Sequence, residues 1–180
     1  IYYQRQGNLE KALEHLRIAQ ESNPSAAIWI LEGGRTLAAM GVLENALTEF
    51  SLAVTVDEKN ADLWRALAEF CILHRYQLED VGLPAARQAL ALEPDNPVMM
   101  DLLGTVYLQL ADLDSAERFF LRALARDPEQ AAILIHLGQL NLIREEKEIA
   151  FDYLRRAEAS ARDWRLRDLA NRLLRENGAQ

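Results

Sequence analysis

The sequence predicts an all-α fold, a row of antiparallel helix pairs without β-strands. Three ladders of residues carry that expectation. Ala12, Ala46, Gly82, Ala116 and Ala150 stand 34, 36, 34 and 34 residues apart. Leu16, Phe50, Ala86, Phe120 and Leu154 keep the same step four residues later, and Ala19, Ala53, Ala89, Ala123 and Ala157 keep it three residues after that. A period in the thirties with apolar residues at helical spacing between the rungs is the mark of a stacked helical repeat.

Each element can be justified in order. The leading unit, 1–26, is incomplete. Ile1 to Gln6 read as the last turns of a first helix and Gly7-Asn8 as a turn. Leu9 to Glu21 form a second helix with Leu9, Ala12, Leu13, Leu16 and Ala19 at helical spacing. Asn23-Pro24 ends the unit, because proline cannot continue a helix. Unit 27–60 carries Trp29, Ile30, Gly33, Gly34 and Leu37 in its first helix, Gly41 at its turn, and Leu43, Ala46, Leu47, Phe50, Ala53 and Val54 in its second. Unit 61–96 has Trp64, Leu67, Ala68 and Cys71 in its first helix, then a turn stretched by two residues around Arg75 to Leu83. Pro84 is comfortable only in the first turn of a helix. The second helix of that unit is therefore expected to start late, near Leu83, and to end before Pro94. Unit 97–130 holds Leu103, Gly104, Tyr107, Ala116, Phe120, Ala123 and Pro128, and unit 131–164 holds Leu137, Gly138, Ala150 and Leu154. A last helix, within 165–180, lines Leu166, Leu169, Ala170, Leu173 and Leu174 along one face and charged residues along the other. Such a helix covers the end of a stack.

Composition narrows the function classes. The net charge is −8, which argues against a global nucleic-acid or anionic-membrane binder. The charge is uneven: residues 1–143 hold 11 basic and 20 acidic side chains, residues 144–180 hold 9 and 8. The single cysteine, Cys71, excludes an intramolecular disulfide and fits a reducing compartment; a cytoplasmic location is the expectation. No apolar run approaches the roughly 18 residues that a membrane span requires. The chain opens on Ile1-Tyr2-Tyr3 inside a helical pattern and is expected to be part of a longer one.

The 34-residue period, with a small residue, a bulky apolar residue four later and an alanine three later, resembles the tetratricopeptide repeat (TPR). The resemblance covers nearly the whole chain. It implies a right-handed superhelical solenoid with first helices inside, on a concave face, and second helices outside. It also implies a non-catalytic scaffold that binds a peptide or protein segment in the concave groove. A regulatory or substrate-docking arm of a larger enzyme or assembly is the alternative. Departures from the family pattern are Glu58 for the closing proline, read as a smoother helix-to-helix bend, and Met100, Asn141 and Arg162 in slots for tryptophan, an aromatic residue and proline.

Carried over residue by residue, the groove-lining places fall on Ile28, Leu31, Arg35, Ala38 and Ala39, then Asp62, Arg65, Glu69, Ile72 and Leu73. Val98, Asp101, Thr105, Leu108 and Gln109 follow, then Ala132, Ile135, Gln139, Leu142 and Ile143 with His136 nearby. Chaperone-binding members carry a Lys/Asn/Arg clamp for a C-terminal carboxylate. Here those positions hold Leu31, Arg35, Ala66, Val98 and Leu102, so that clamp is absent. What remains is an apolar floor with Arg35 and Arg65 facing Asp62, Glu69 and Asp101.

No catalytic constellation is visible. His15, His74 and His136 lie in three different repeats and cannot easily converge on one metal or nucleophile. Neither a cofactor nor a metal is expected. Cys71 reads as a buried small hydrophobe, and Trp29, Trp64, Tyr107, Phe119 and Phe120 as core. Seven arginines within 155–175 form a basic stretch, read as a solvated cap face with Trp164 packed at the cap. A second copy could pair through the leading edge at Tyr2, Tyr3 and Leu9.

Overall fold

A computed structural model describes residues 2–179; Ile1 and Gln180, expected in the first partial helix and the last segment, lie outside the described residues. Among the described residues there are eleven α-helices, one π-helical turn and no strand. The chain divides into two compact units that meet in sequence between Glu93 and Pro94. The first contains α1 (Tyr2–Arg5), α2 (Leu9–Ser22), α3 (Ala27–Ala39), α4 (Leu43–Val56), α5 (Ala61–His74), the π-turn (Leu78–Gly82) and α6 (Leu83–Leu92). The second contains α7 (Pro97–Gln109), α8 (Leu113–Arg126), α9 (Ala131–Ile143), α10 (Lys147–Ser160) and α11 (Trp164–Glu176).

Short connections make consecutive helices neighbours. The turn inside each pair closes on a left-handed residue: Gly7 (φ 73°), Gly41 (φ 78°), Arg75 (φ 48°), Ala111 (φ 61°) and Glu145 (φ 64°). Glycine takes that conformation without steric cost, whereas the three side-chain-bearing residues are held there by the packing of the helices they join. Helix starts are capped by Asn8, Asn60, Asn96, Asp112 and Asp163, whose side chains accept from backbone N–H groups two or three residues on. Each cap satisfies a donor that the helix itself cannot.

The pairs are closed by a glycine facing a bulky side chain. A Cβ on Gly34 would stand 3.1 Å from the Phe50 ring, one on Gly104 2.6 Å from Phe120, and one on Gly138 2.7 Å from Leu154. Phe120 and Leu154 are wholly buried, each worth about 1.5–3 kcal/mol in removed apolar surface. The third pair inverts the arrangement. Its bulky position is Ala86 and its first helix has Ala68, while the glycine, Gly82, lies on the second-helix side against Cys71, 2.9 Å from the position of an added Cβ.

Three expectations change. The stretched Arg75–Leu83 segment is not a loop throughout: only Arg75 to Gln77 leave the helix, and Leu78–Gly82 form a π-turn that runs into α6. A proline inside an α-helix clashes with the carbonyl four residues back, and the wider π-turn makes room for Pro84. At Glu58 the chain does not bend smoothly. Asp57 to Asn60 form the same four-residue break as the proline-containing boundary Asp127 to Gln130, with the Asn60 side chain accepting from Asp62 N–H at 3.1 Å. Trp164 does not pack at the cap; it is 70% exposed, with the Arg165 guanidinium over its ring. Its place at the first position of α11 faces it outward, and Leu166, Leu169 and Leu173 cover the apolar end instead. Of the five aromatics expected in the core, Phe120 is fully buried. Trp29, Trp64, Tyr107 and Phe119 are half-buried, with Trp64 donating to the Glu58 carbonyl at 2.8 Å and Phe119 stacked on Tyr107.

The crossings yield a paired prediction. Gly104→Ala drives a methyl into the Phe120 ring and is expected to cost about 1–3 kcal/mol in urea unfolding. At Gly33 an added Cβ meets the flexible end of Gln20 at 3.2 Å. Gly33→Ala is therefore expected to stay within about 0.5 kcal/mol of the parent, since the gain in helix propensity offsets the contact. Equal effects at both sites would remove the helix-crossing explanation.

Candidate functional site

In the first unit, α3 and α5 lie side by side with an apolar cleft of about 290 Å³ between them. Phe50 and Phe70, buried and stacked with ring centroids 4.8 Å apart, form its floor. Ala38, Ala39 and Ala66 keep it open because a methyl is all that each projects, and Arg35, Glu69, Leu73 and His74 stand round the rim. Leu73 is 78% exposed. The His74 ring leans on Phe70, and Tyr76, between the left-handed residues Arg75 and Gln77, meets the same ring edge-on.

Charges on this face are paired within their own helices. Arg35 holds Glu32, and Arg65 bridges Asp62 and Glu69, both at 2.9 Å. Burial pulls the Arg65 guanidinium down, but the two carboxylates outweigh it and hold the group above its ordinary range. The expectation of arginines facing acids across a groove is thus replaced by salt bridges three and four residues apart along one helix, the spacing that brings side chains together. Leu31, expected on the exposed face, is 6% exposed and belongs to the core with Ile30. Ile28 is half-exposed and Ile72 half-buried.

In the second unit the expected residues on α7 and α9 do come together. His136 Nδ1 lies 2.7 Å from Asp101 Oδ1. The imidazole stacks on Phe120 at 5.4 Å, so one ring joins three helices. Thr105 donates to the Asp101 backbone carbonyl, and Leu108, Gln139 and Leu142 are half-buried on the same two helices, whereas Ile135, expected on the face, is core and packs with Ala157, Ala161 and Ala170. Asn141 is buried and donates to the Leu137 carbonyl, which is how an amide is accommodated in an apolar position. At the α9–α10 turn Arg144 clasps Asp114 and Glu117 of α8, both at 2.7 Å.

Phe70 and His74 were missed by slot-by-slot transfer. The signal was available: Ala66, Phe70 and His74 step by four along α5 and share a face. Each histidine has a different neighbour: His15 stacks on Tyr3, His74 leans on Phe70 and His136 meets Asp101. Cys71 is buried without exposure, and desolvation pushes its thiol up to about 11.

Repeated helix pairs closed by small residues define a helical-repeat protein. Two non-overlapping stretches, residues 97–140 and 1–62, each match a tetratricopeptide repeat model, and together they cover more than half of the chain. The chain belongs to the tetratricopeptide repeat family. It is similar to the BBSome complex member bbs-4 of Caenorhabditis elegans, at 25% identity over 157 residues, 83% of this chain and 34% of that protein. The chain thus spans about a third of that relative's length. Its fold is similar to that of PilW, a type IV pilus biogenesis factor (TM-score 0.79, 16% identity, 99% and 82% of the two chains covered). It is also similar to YrrB, a TPR protein with an unusual peptide-binding site (TM-score 0.66, 22% identity, 95% and 87% covered). Proteins of this family are generally non-catalytic scaffolds for protein–protein interaction, and this chain carries the repeats that define them. Among the described residues no helix is long and apolar enough to cross a membrane.

Two predictions follow from these environments. Burial lowers the tendency of His136 to protonate, but Asp101 outweighs it, so the group titrates above its ordinary 6.5 in the folded chain. The pair therefore stabilises the fold fully below 6.5 and loses that contribution as pH rises through the higher folded value. Urea stability is expected to fall as pH rises above 6.5 through the higher folded value, by a component that His136→Gln lacks. A ring-proton NMR titration giving a midpoint at or below the unfolded value would contradict it. Cys71, short of thiolate and of access, is expected to resist a disulfide reagent until urea unfolds the chain; prompt native-state labelling would refute the buried assignment.

Proposed function

We propose that this chain binds an extended or short helical protein segment along the exposed faces of its first helices, with an apolar side chain of the partner seated in the α3–α5 cleft. The cleft itself carries the reading. Its size is near the lower bound of small-molecule pockets, about 300 Å³, and suits one leucine- or phenylalanine-sized anchor better than a cofactor. Buried aromatic walls with an exposed leucine on the rim are the usual surroundings of an interface hot spot. Support comes also from YrrB, whose similar fold carries a peptide-binding site. On the second unit, taken by itself, Asp101, Thr105, Leu108, His136, Gln139 and Leu142 are assigned to the corresponding face of its own first helices, α7 and α9. On the first, Ile28, Arg35, Asp62, Arg65, Glu69 and Ile72 flank the anchor, while Leu31 supports it from the core. The net charge of −8 favours a protein or peptide over nucleic acid.

The test is selection of peptides from a displayed random library on the parent chain, followed by affinity measurement on Leu73→Glu and Ala39→Glu variants of unchanged helicity. Both positions are exposed, so both variants are expected to fold. Each is expected to weaken binding about tenfold or more, through loss of an apolar anchor contact and burial of a charge. Undiminished affinity in both would sink the cleft as the anchor site.

A further inference from the structure

Helices α8 and α10 carry one surface device in two versions. In α10 the Arg156 guanidinium lies over the Tyr153 ring at 5.5 Å, and Asp152, four residues before it, pairs with it at 3.7 Å. Phe119 and Arg122 hold the same places in α8, 34 residues earlier, and Arg122 lies over the Phe119 ring at 5.2 Å. The place of Asp152 is taken by Arg118, whose guanidinium stands over the same ring at 5.3 Å. An acid and a base one turn apart have become two bases, an arrangement that destabilises a helix. Both arginines are exposed.

The carboxylates that could answer them are engaged elsewhere. Asp114 stands four residues before Arg118, the favourable spacing for a salt bridge, yet it and Glu117 are clasped by Arg144, both at 2.7 Å. Asp112 feels the Arg118 charge, but its side chain caps α8 and accepts from Ser115 N–H at 3.1 Å. Arg126, the next step along the row, has Asp95 at 2.6 Å. Among the described residues neither Arg118 nor Arg122 has a carboxylate within salt-bridge distance. Phe119 is itself seated, stacked on Tyr107 with the ring planes 8° apart. A guanidinium held over an aromatic face keeps N–H donors for a carboxylate, so the ring pre-orders two forks at little further entropic cost. We propose that Arg118 and Arg122 form a docking point for an acidic protein segment, whose Asp or Glu carboxylates bridge the two guanidiniums while an apolar side chain meets Leu121, 43% exposed and three residues after Arg118. Two planar forks match carboxylates one for one. A phosphate backbone needs a longer basic track, and Asp112, Asp114 and Glu117 precede the pair on the same helix end. The site lies on a second helix and does not depend on the α3–α5 cleft.

The experiment selects peptides from a displayed random library on the Leu73→Glu chain, so that the cleft does not compete. Affinities are then measured for the selected peptides and for counterparts with each Asp or Glu replaced by Asn or Gln. The selected peptides are expected to be rich in Asp and Glu. They should bind a chain that also carries Arg118→Gln and Arg122→Gln at least about tenfold more weakly, and the neutral counterparts should show the same loss on the unaltered arginines. Arg156→Gln, the internal control on α10, should leave affinity unchanged. Arg118→Asp, which copies the α10 version, should lose peptide binding while unfolding at the same or a higher urea concentration, which separates recognition from folding. Peptides without acidic enrichment, undiminished affinity after Arg118→Asp, or no selected peptide at all would overturn the proposal. So would tighter binding of a single-stranded deoxythymidine oligonucleotide, which would give the face to nucleic acid. Self-association of the parent in sedimentation, lost in Arg118→Asp, would give it to a second copy instead.

Discussion

The close approach of paired helices at a glycine is the constraint on which the rest of the structure depends. Where Gly34, Gly104 and Gly138 remove a side chain, Phe50, Phe120 and Leu154 lie against the bare backbone. A ring pressed there on one side still has another side to offer. Phe50 stacks on Phe70 of the next pair, and Phe120 stacks on His136. One side chain thus closes its own pair and docks the following one. Both contacts recur in the candidate sites: Phe50 and Phe70 floor the cleft, and Phe120 supports the imidazole. The walls of the cleft and the seat of the imidazole are thus the same side chains that close the helix pairs.

The same constraint explains what was legible in the sequence. Positions that must be small, and the bulky residues over them, show as ladders because any larger or smaller choice leaves a clash or a void. Helix order, turns and most boundaries followed from those ladders. The third pair was legible in part: Pro84 announced a late α-helix, but the π-turn before it depends on how two extra residues are absorbed, which periodicity does not encode. The boundary around Glu58 shows the same limit in smaller form, since a proline is one way to break the chain between two helices and an asparagine that caps the start of the next, here Asn60, is another.

The candidate site was legible as a face and not as a set of contacts. Slot transfer placed Leu31 and Leu73 on one surface, yet one is core and the other is among the most exposed leucines of its unit. It put Asp101 and His136 on the lists of two successive repeats without showing that they bond, because they lie 35 residues apart in sequence. It missed Phe70, whose burial hides it from a list of surface positions although it shapes the cleft from below.

What the charges do not do is as informative as what they do. Arg35 and Arg65 looked like the specificity determinants of the face, but each is engaged within its own helix. Exposed pairs at this spacing contribute only about 0.3–0.5 kcal/mol, so a partner could displace them at little cost. By the same weakness, the exchange would gain the partner little. On the reading proposed for the first unit, affinity would come from apolar burial, which the α3–α5 cleft concentrates at one point, and an exposed ion pair beside it would set little more than orientation.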